Sequence, residues 1–261
     1  PLHGILLIDK PPGWTSHDVV ARARRLTGQR RIGHTGTLDP MATGLLVLCL
    51  GNATRLVEYL VGHAKRYSGE IVLGQTTATC DAEGEPLVTL PVPSLADARL
   101  RTLETQFTGD LRQVPPAFSA IKVGGRRAYD LARQGEAPAL ESRPVVIHRL
   151  ALRIMAPGRL SVEVDCGAGT YIRSLARDIG EELGCGAHLG ALRRHAAGPF
   201  QVGGALTLEQ VEQLSGDGQI ERALLPPDAG MADYDAAIIG PDGARRFCHG
   251  LMHRGAGACE R

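Results

Sequence analysis

Aromatic residues and long apolar runs are both scarce in this 261-residue chain. Phe, Trp and Tyr together make up 4% of it, so tyrosines that stand beside charged residues are conspicuous. The longest apolar run, residues 45–50, is far shorter than the roughly 20 residues that a membrane-spanning helix needs. Residues 1–10 show no basic region followed by a long apolar core and a cleavage site. The sequence therefore predicts a cytoplasmic protein with no membrane partner.

Cysteine patterns typical of disulfide or zinc frameworks are also missing. None of the six cysteines forms a CxxC pair, and a chain of this length does not need disulfides to stabilise a small core. The densest group of possible ligands fits no zinc-binding spacing, and its adjacent residues are awkward joint ligands. This group is Cys248, His249, His253 and Cys259. We expect reduced, mostly buried thiols and no metal site.

The sequence lacks the motifs of several common enzyme classes. It has no GxxxxGKS/T phosphate loop, no GxSxG elbow, no HExxH pair and no GxGxxG between a strand and a helix. These absences disfavour nucleotide-driven, metal-driven and hydride-transfer chemistry. What is present is ordinary: 43% hydrophobic and 22% charged residues are typical of a folded, water-soluble protein.

Positive charge is clustered although the net charge is only +1. Arginines are concentrated in three stretches, residues 22–31, 126–133 and 193–195, the last of which ends in a histidine. Such clusters are typical of surfaces that meet nucleic-acid phosphates, while acidic segments elsewhere balance the total. The distribution of charge therefore permits an RNA partner.

Hydrophobic spacing predicts short strands and helices without a regular βαβ repeat. We expect strands at 4–8, 45–50, 67–73, 120–123, 145–155, 160–166 and 189–196, with a hairpin turn at 157–158. Helices are expected from a Ser16 cap to a Gly28 stop and at 52–60, 95–107, 126–133, 171–183 and 207–214, with loops at 33–44 and 74–93. The prediction is an α+β domain over residues 1–228, built on a mixed, largely antiparallel sheet, followed by a short segment, 229–261.

Asp39 lies in the loop that leads into the apolar run, directly before Pro40. Because proline disfavours the helical region for the residue before it, a stiff loop presents this carboxylate against a buried strand. Judged alone, a turn aspartate that accepts backbone hydrogen bonds is the more common explanation. Asp39 is therefore a candidate catalytic acid that needs support from other residues.

Arg173 offers such support from the first turn of the helix expected at 171–183. A cation there opposes the positive end of the helix dipole, and a buried acid nearby would offset the cost. The alternative is an exposed arginine that reaches into water.

Tyr67 and Tyr171 each stand close to a basic residue, a setting that suits stacking on an extruded base. The alternative for both is a core tyrosine with a satisfied hydroxyl. His34 is by the same reasoning more often a structural loop residue than a reader of RNA.

Four blocks of the sequence together resemble the bacterial tRNA pseudouridine synthase B family. They are DKPPGWTS at 9–16, RIGHTGTLDPMATG at 31–44, KRY at 65–67 and GTYIR at 169–173, in the family's order. The resemblance extends from about residue 4 to about residue 228. It implies the pseudouridine synthase fold and isomerisation of the uridine at position 55 in the tRNA T loop.

The resemblance implies that the base is detached at its N1–C1′ bond and rejoined through C5. Asp39 matches the essential aspartate, which acts either as a nucleophile or as a base that takes a proton from the sugar. Arg173 matches the arginine that pairs with it. Because the isomer contains the same atoms as the substrate, no cofactor, metal or nucleotide is implied. The implied partner is the T stem-loop of tRNA, and we expect a monomer.

The remaining site residues also follow from the resemblance. Tyr67 matches the tyrosine that stacks on the target base and takes the proton from C5. Tyr171 and Leu192 match residues that line the base pocket. His34 matches the residue that fills the gap left by the flipped uridine. Lys10 belongs to a segment that braces the active-site loop, and we count it among the substrate-binding residues.

The carboxyl end departs from the family pattern. Longer members finish with a small RNA-binding module of the PUA type, whereas residues 233–261 provide enough chain for its opening strands alone. We therefore expect residues 229–261 to be a short C-terminal segment in which this module is degenerate, truncated or absent.

Two other functions compete with the synthase. One is a catalytically silent tRNA-binding or tRNA-folding protein of the same fold, against which the joint presence of Asp39, Tyr67 and Arg173 argues. The other is an acid-dependent RNA hydrolase or a glycosidase-like enzyme. That chemistry usually needs a second catalytic carboxylate or a metal cluster, and none stands near Asp39 in the sequence.

Overall fold

The computed structural model describes residues 2–119, 121–136, 140–235 and 239–250, apart from the side chain of Arg127. The strands are β1 (Gly4–Lys10), β2 (Ile32–His34), β3 (Thr43–Leu50), β4 (Lys65–Leu73), β5 (Gln75–Thr77), β6 (Pro86–Thr89), β7 (Gly109–Gln113), β8 (Lys122–Val123), β9 (Arg126–Arg127), β10 (Arg143–Ala156), β11 (Arg159–Cys166), β12 (Ala187–Ala197) and β13 (Phe200–Gln201). The α-helices are α1 (Ser16–Thr27), α2 (Val57–Leu60), α3 (Asp97–Gln106), α4 (Ala128–Arg133), α5 (Ile172–Glu182), α6 (Leu208–Gly216) and α7 (Pro241–Cys248). No helix within these ranges is long and apolar enough to cross a membrane.

One large sheet organises the chain, with the strand order β1-β3-β12-β4-β11-β10-β7. Strand β2 pairs with β3 and β13 pairs with β12 at the sides of this path. Every pairing is antiparallel except that of β3 with β12, where Thr43 lies opposite Arg193 and Gly44 opposite Arg194. The prediction of an α+β fold on a mixed, largely antiparallel sheet is thus confirmed.

Strand β3 is apolar along its length because both of its faces are covered. Leu46, Leu48 and Leu50 face the main core. The alternate residues Leu45 and Val47 belong to a second, smaller core on the opposite face. Because side chains alternate across a strand, an uninterrupted apolar run is what burial on both faces requires. This strand gives the loop that carries Asp39 a rigid base.

Several predicted elements are present with small shifts in their bounds. Strands β10 and β11 form an antiparallel hairpin with its turn between Ala156 and Arg159. Helix α5 is bounded by Tyr171 and Leu183, as its apolar spacing indicates. Helix α6 begins after Thr207, whose hydroxyl accepts from the Gln210 amide in a capping box.

The first helix begins differently from the prediction. Thr15, not Ser16, is the N-cap, because its hydroxyl accepts from the Asp18 amide while the Asp18 carboxylate accepts from Thr15. The predicted end is confirmed, since Gly28 adopts the left-handed conformation with φ of 63°. The buried Ser16 side chain is consequently free for a different contact.

Four other bounds predicted from the sequence are wrong. The expected loop at 33–44 starts with β2, and the expected loop at 74–93 contains the hairpin of β5 with β6. The helix expected from Asn52 starts as a 3-10 helix at Gly51. The helix expected at 126–133 begins at Ala128, because the two preceding residues pair with β8. The three errors that involve strands have one cause: the short pairings are formed by polar residues and lack apolar alternation.

Beyond Pro227 the chain remains attached to the smaller core. A 3-10 helix, Pro227–Gly230, places Ala229 and Met231 against that core. Within residues 239–250 the regular element is α7. The proposed division near residue 228 and the RNA-binding module remain predictions.

Cys49, Cys166 and Cys185 are free and buried, as expected, whereas Cys248 is exposed. Across the described residues no three His, Cys, Asp or Glu side chains are placed to hold a metal ion. His253 and Cys259 of the weighed ligand group, and Ala120 of the expected strand at 120–123, lie outside the described residues.

The parallel junction of β3 and β12 yields a stability prediction. Gly44 has φ of +97°, and a Cβ placed on it would lie 2.2 Å from the Arg194 carbonyl oxygen. Gly28 has φ of +63° but open space around it. We expect Gly28→Ala to cost about 1 kcal/mol and Gly44→Ala to cost more than about 3 kcal/mol of unfolding free energy. Urea denaturation measures both, and equal costs would contradict the clash.

Candidate active site

A pocket of about 800 Å³ opens beside the loop between β2 and β3. Five of the seven predicted site residues line it: Asp39, Tyr67, Tyr171, Arg173 and Leu192. They come from the loop, from β4, from the start of α5 and from β12, so long-range folding brings them together. Lys10 and His34 are not among its lining residues.

Arg173 and Asp39 form an ion pair in the pocket wall. The Arg173 Nη2 donates to Asp39 Oδ1 at 2.9 Å. Arg173 is 5% exposed, whereas the Asp39 side chain is 31% exposed. The acid that the helix-dipole argument required is therefore present. Of the two partners, the carboxylate is the one accessible from the pocket.

Both terminal nitrogens of Arg173 also contact residues that the sequence did not reveal. Nη1 donates to the Thr79 carbonyl at 2.9 Å and lies 3.5 Å from Asp81 Oδ2. Nη2 also donates to the Phe118 carbonyl at 3.0 Å. Asp81 is buried and accepts from the Thr79 hydroxyl and the Glu83 amide. The polar pattern of residues 74–93 predicts a plain loop, and it does not indicate the contacts of Thr79 and Asp81 with Arg173.

A second carboxylate is thus near Asp39 in space, although none is near in sequence. Asp81 is 3% exposed, and its Oδ2 lies against the other terminal nitrogen of the same guanidinium. Its Oδ1 already accepts from two internal donors. We therefore interpret Asp81 as a residue that holds Arg173, and not as an independent acid of the kind that a glycosidase uses.

The loop that carries Asp39 is held at its backbone on both sides of the acid. Arg194 donates to the Gly36 carbonyl at 3.0 Å and to that of Leu45 at 2.7 Å. Ser16 Oγ donates to the Leu38 carbonyl at 3.1 Å and accepts from the Leu38 amide at 2.8 Å. These contacts fix the backbone and leave the Asp39 carboxylate as the projecting group.

Lys10 holds the loop from below. Its ammonium donates to the carbonyls of Pro11, Trp14 and Pro40 at 2.9, 2.6 and 3.1 Å. The side chain is fully buried, and burial lowers its pKa from 10.5 to about 8. The predicted bracing contact is present, but a direct contact of Lys10 with substrate is not what this geometry supports.

Arg194 corrects the interpretation of the third arginine cluster. The sequence places Arg194 in a cluster that could meet phosphates, yet the residue is 2% exposed and donates inward to loop carbonyls. Arg193 forms a two-point ion pair with Asp9, at 3.0 and 2.8 Å. The alternation of a strand explains the difference, because neighbouring side chains of β12 point to opposite faces.

The aromatic walls of the pocket are deeply placed. Tyr67 is buried, and burial raises the pKa of its hydroxyl, with the Arg194 guanidinium acting in the opposite direction. Burial also raises the pKa of Tyr171, an effect that the nearby Arg173 opposes. Both phenols are therefore neutral near pH 7 and present flat apolar faces with a hydroxyl at the tip.

His34 lies on β2 behind the rim of the pocket. Its ring meets that of His17 edge to face, with centroids 5.7 Å apart, and His17 lines the pocket. Burial lowers the pKa of His34, and the neighbouring His17 adds to the effect. The imidazole is consequently neutral at pH 7.

Comparison with known proteins identifies the family to which this chain belongs. Residues 24–172 match the TruB family pseudouridylate synthase (N terminal domain) model, and residues 173–232 match the tRNA pseudouridylate synthase B C-terminal domain model. The chain belongs to the TruB family of pseudouridylate synthases. The tRNA pseudouridine synthase B of Xanthomonas campestris pv. campestris is 47% identical over 97% of this chain and 83% of its own. That of Arthrobacter is 45% identical, over 93% and 91%.

Solved structures extend the TruB likeness to the fold. A Cbf5-Nop10-Gar1 complex contains a chain that matches with a TM-score of 0.73 at 27% identity, over 95% of this chain and 68% of that one. An H/ACA RNP bound to a substrate RNA containing 2'-deoxyuridine matches with a TM-score of 0.64 at 26% identity, over 87% and 60%. The sheet that positions the TruB site is therefore shared with these assemblies.

The two hydrogen bonds between Ser16 Oγ and the Leu38 backbone give a prediction about the loop that carries Asp39. Ser16→Ala removes the partner of both the Leu38 amide and its carbonyl, so we expect hydrogen exchange across residues 36–42 to accelerate roughly tenfold. Thr207→Ala, which removes the remote cap of α6, is the matched control. It should lower global stability by about 1 kcal/mol without a selective change in the loop. Peptide-resolved hydrogen exchange measures both variants. Unchanged protection of residues 36–42 in Ser16→Ala would show that the Ser16 contacts do not hold the loop.

Proposed function

We propose that this TruB-family enzyme converts uridine to pseudouridine at position 55 in the T loop of tRNA. The observation that carries the proposal is the Asp39–Arg173 ion pair in the wall of a pocket that Tyr67 and Tyr171 also line. Curated relatives over 40% identical are named tRNA pseudouridine synthase B. The enzyme is an isomerase, and its substrate class is uridine in tRNA.

The pocket suits a base taken out of the RNA stack. Its volume, about 800 Å³, lies within the range of small-molecule sites. Extrusion of a base costs a few kcal/mol, which stacking on aromatic faces and pocket contacts offset. Tyr67 and Tyr171 offer such faces, and Leu192 adds an apolar side. A flipped uracil among these residues lies beside the half-buried Asp39 carboxylate.

The reaction moves one glycosidic bond and one proton. The N1–C1′ bond breaks, the base turns, and a C5–C1′ bond forms, after which the C5 proton leaves and N1 gains a proton. Asp39 starts this sequence either as a nucleophile or as a base that takes a proton from the sugar. In both routes Arg173 Nη2 holds the Asp39 carboxylate in place, while Nη1 of the same planar guanidinium lies against Asp81.

Tyr67 is proposed to stack on the base and to take the C5 proton. Because burial raises its pKa, its hydroxyl is neutral at pH 7 and must release its own proton as it accepts another. The buried Arg194 guanidinium favours the phenolate and so helps that exchange.

The T stem-loop of tRNA is the proposed partner, bound by a monomer in the cytoplasm. Arg25 in the last turn of α1, and Arg30 and Arg31 beyond its end, are exposed and can meet phosphates. Arg133 lines the pocket, with its guanidinium 5.6 Å from the centre of the Tyr129 ring. Two arginine clusters thus remain available for RNA after the inward-facing Arg194 is set aside.

The catalytic role of Asp39 is tested by Asp39→Asn. We expect release of tritium from T-arm RNA labelled at uridine C5 to fall more than about 10³-fold, because the amide is neither a nucleophile nor a base. Affinity for the RNA should stay within about threefold. This combination also separates the enzyme from a silent RNA-binding protein of the same fold. Absence of release by the unaltered protein would refute the proposed activity.

The role of Arg173 is tested by Arg173→Lys. Lysine cannot span Asp39, Asp81 and two carbonyls at once, so we expect kcat to fall by about 10² or more. Arg193→Lys is the matched control, since Arg193 pairs with a carboxylate, that of Asp9, but does not line the pocket. Its kcat should stay within about threefold. Full activity of Arg173→Lys would remove Arg173 from the catalytic group.

A further inference from the structure

Two of the pocket-lining residues carry polar atoms that nothing in the protein satisfies. Among the described residues, four buried side-chain atoms lack a hydrogen-bond partner: His34 Nδ1, His63 Nε2, Ser119 Oγ and Arg173 Nε. Ser119 and Arg173 both line the pocket. Because buried polar atoms in native proteins are nearly always hydrogen-bonded, their concentration here points to a ligand that supplies the partner.

Of these two residues, Ser119 gives the stronger evidence for a ligand contact. The residue is 3% exposed, so solvent does not surround its hydroxyl. Its carbonyl is occupied, since it accepts from the Tyr129 amide at 3.1 Å. The hydroxyl lies close enough to the Tyr171 phenol to act toward a lower pKa of that phenol, but no atom of the protein meets it in good hydrogen-bonding geometry. A hydroxyl that the fold buries and does not use is available for an occupant of the pocket.

The position of Ser119 indicates which part of an occupant it meets. The preceding residue, Phe118, gives its carbonyl to Arg173, so this segment forms the wall next to the ion pair. On the same wall stands the tip of Tyr171, whose ring offers a face to a flat base. A base held against that face turns its edge toward the neighbouring hydroxyls. The edge of uracil carries two carbonyl oxygens, and a hydroxyl donates to such acceptors.

We propose that Ser119 is a base-binding residue whose Oγ donates a hydrogen bond to a carbonyl oxygen of the flipped uracil. The inference rests on the proposed function and adds a substrate contact to it. It also gives the pocket a polar means of selection beside its apolar walls. A site whose buried hydroxyl is satisfied by the substrate disfavours bases that leave it unpaired.

The first test compares Ser119→Ala with Ser174→Ala. Ser174 is a fully buried serine whose hydroxyl already donates to the Val114 carbonyl at 2.8 Å. Loss of the base contact should lower kcat/KM for T-arm RNA about 5- to 20-fold in Ser119→Ala, with no loss of stability to urea. Ser174→Ala should instead lose stability and keep kcat/KM within about threefold. Equal kcat/KM for Ser119→Ala and the unaltered protein would overturn the proposal.

The second test locates the contact on the base. T-arm RNAs carry 2-thiouridine or 4-thiouridine at the target position, because sulfur is a weaker hydrogen-bond acceptor than oxygen. The ratio of unaltered to Ser119→Ala kcat/KM should collapse to within about twofold for one analogue and persist for the other. Persistence of the full ratio with both analogues would refute a contact to a carbonyl oxygen.

Binding measurements separate this inference from the proposed isomerisation. Ser119→Ala should weaken binding of RNA with uracil at the target position, while affinity for RNA with an abasic site there should match that of the unaltered protein. This comparison works even if no tritium is released. Equal weakening toward both RNAs would mean that Ser119 shapes the protein and does not touch the base.

Discussion

The need to satisfy one buried guanidinium, that of Arg173, organises the site. A buried cation is tolerated when its donors find acceptors, and removal of one partner leaves an uncompensated charge. Its acceptors come from three separate stretches of chain: Asp39, the Thr79 carbonyl with Asp81, and the Phe118 carbonyl. Helix α5 supplies the arginine itself. Satisfying this charge therefore assembles the pocket wall from four parts of the fold.

In the loop before β3, the backbone is held rigidly while the Asp39 carboxylate stays partly open to the pocket. Its backbone is held by Ser16, Lys10 and Arg194 through carbonyl and amide contacts. None of these contacts uses the Asp39 carboxylate, which pairs with Arg173 and is partly open to the pocket. Backbone contacts therefore orient the carboxylate without using its oxygens, as preorganisation of the proposed catalytic group requires.

The sequence was sufficient to predict the longer helices and strands and part of the candidate site. Periodicity predicted α5 and the hairpin of β10 with β11, because apolar spacing over a long element records which face is buried. The sequence identified Asp39 as an acid and Arg173 as a cation, each of which needed a partner. Asp81 and Ser16 were missed, since their contacts join residues far apart in the chain and leave no local pattern. Arg194 was placed on the surface because charge clusters do not reveal which strand face is buried.

The buried cations also shape the electrostatic setting of Asp39. Lys10 and Arg194 donate to carbonyls, which satisfy hydrogen bonds without cancelling the positive charge. With a pKa of about 8, Lys10 is mostly charged at pH 7. Its positive charge is stabilised in turn by the Asp39 carboxylate. A net charge of +1 conceals this local field, because acidic residues elsewhere in the chain balance it. The residues that immobilise the loop thus also place positive charge beside it.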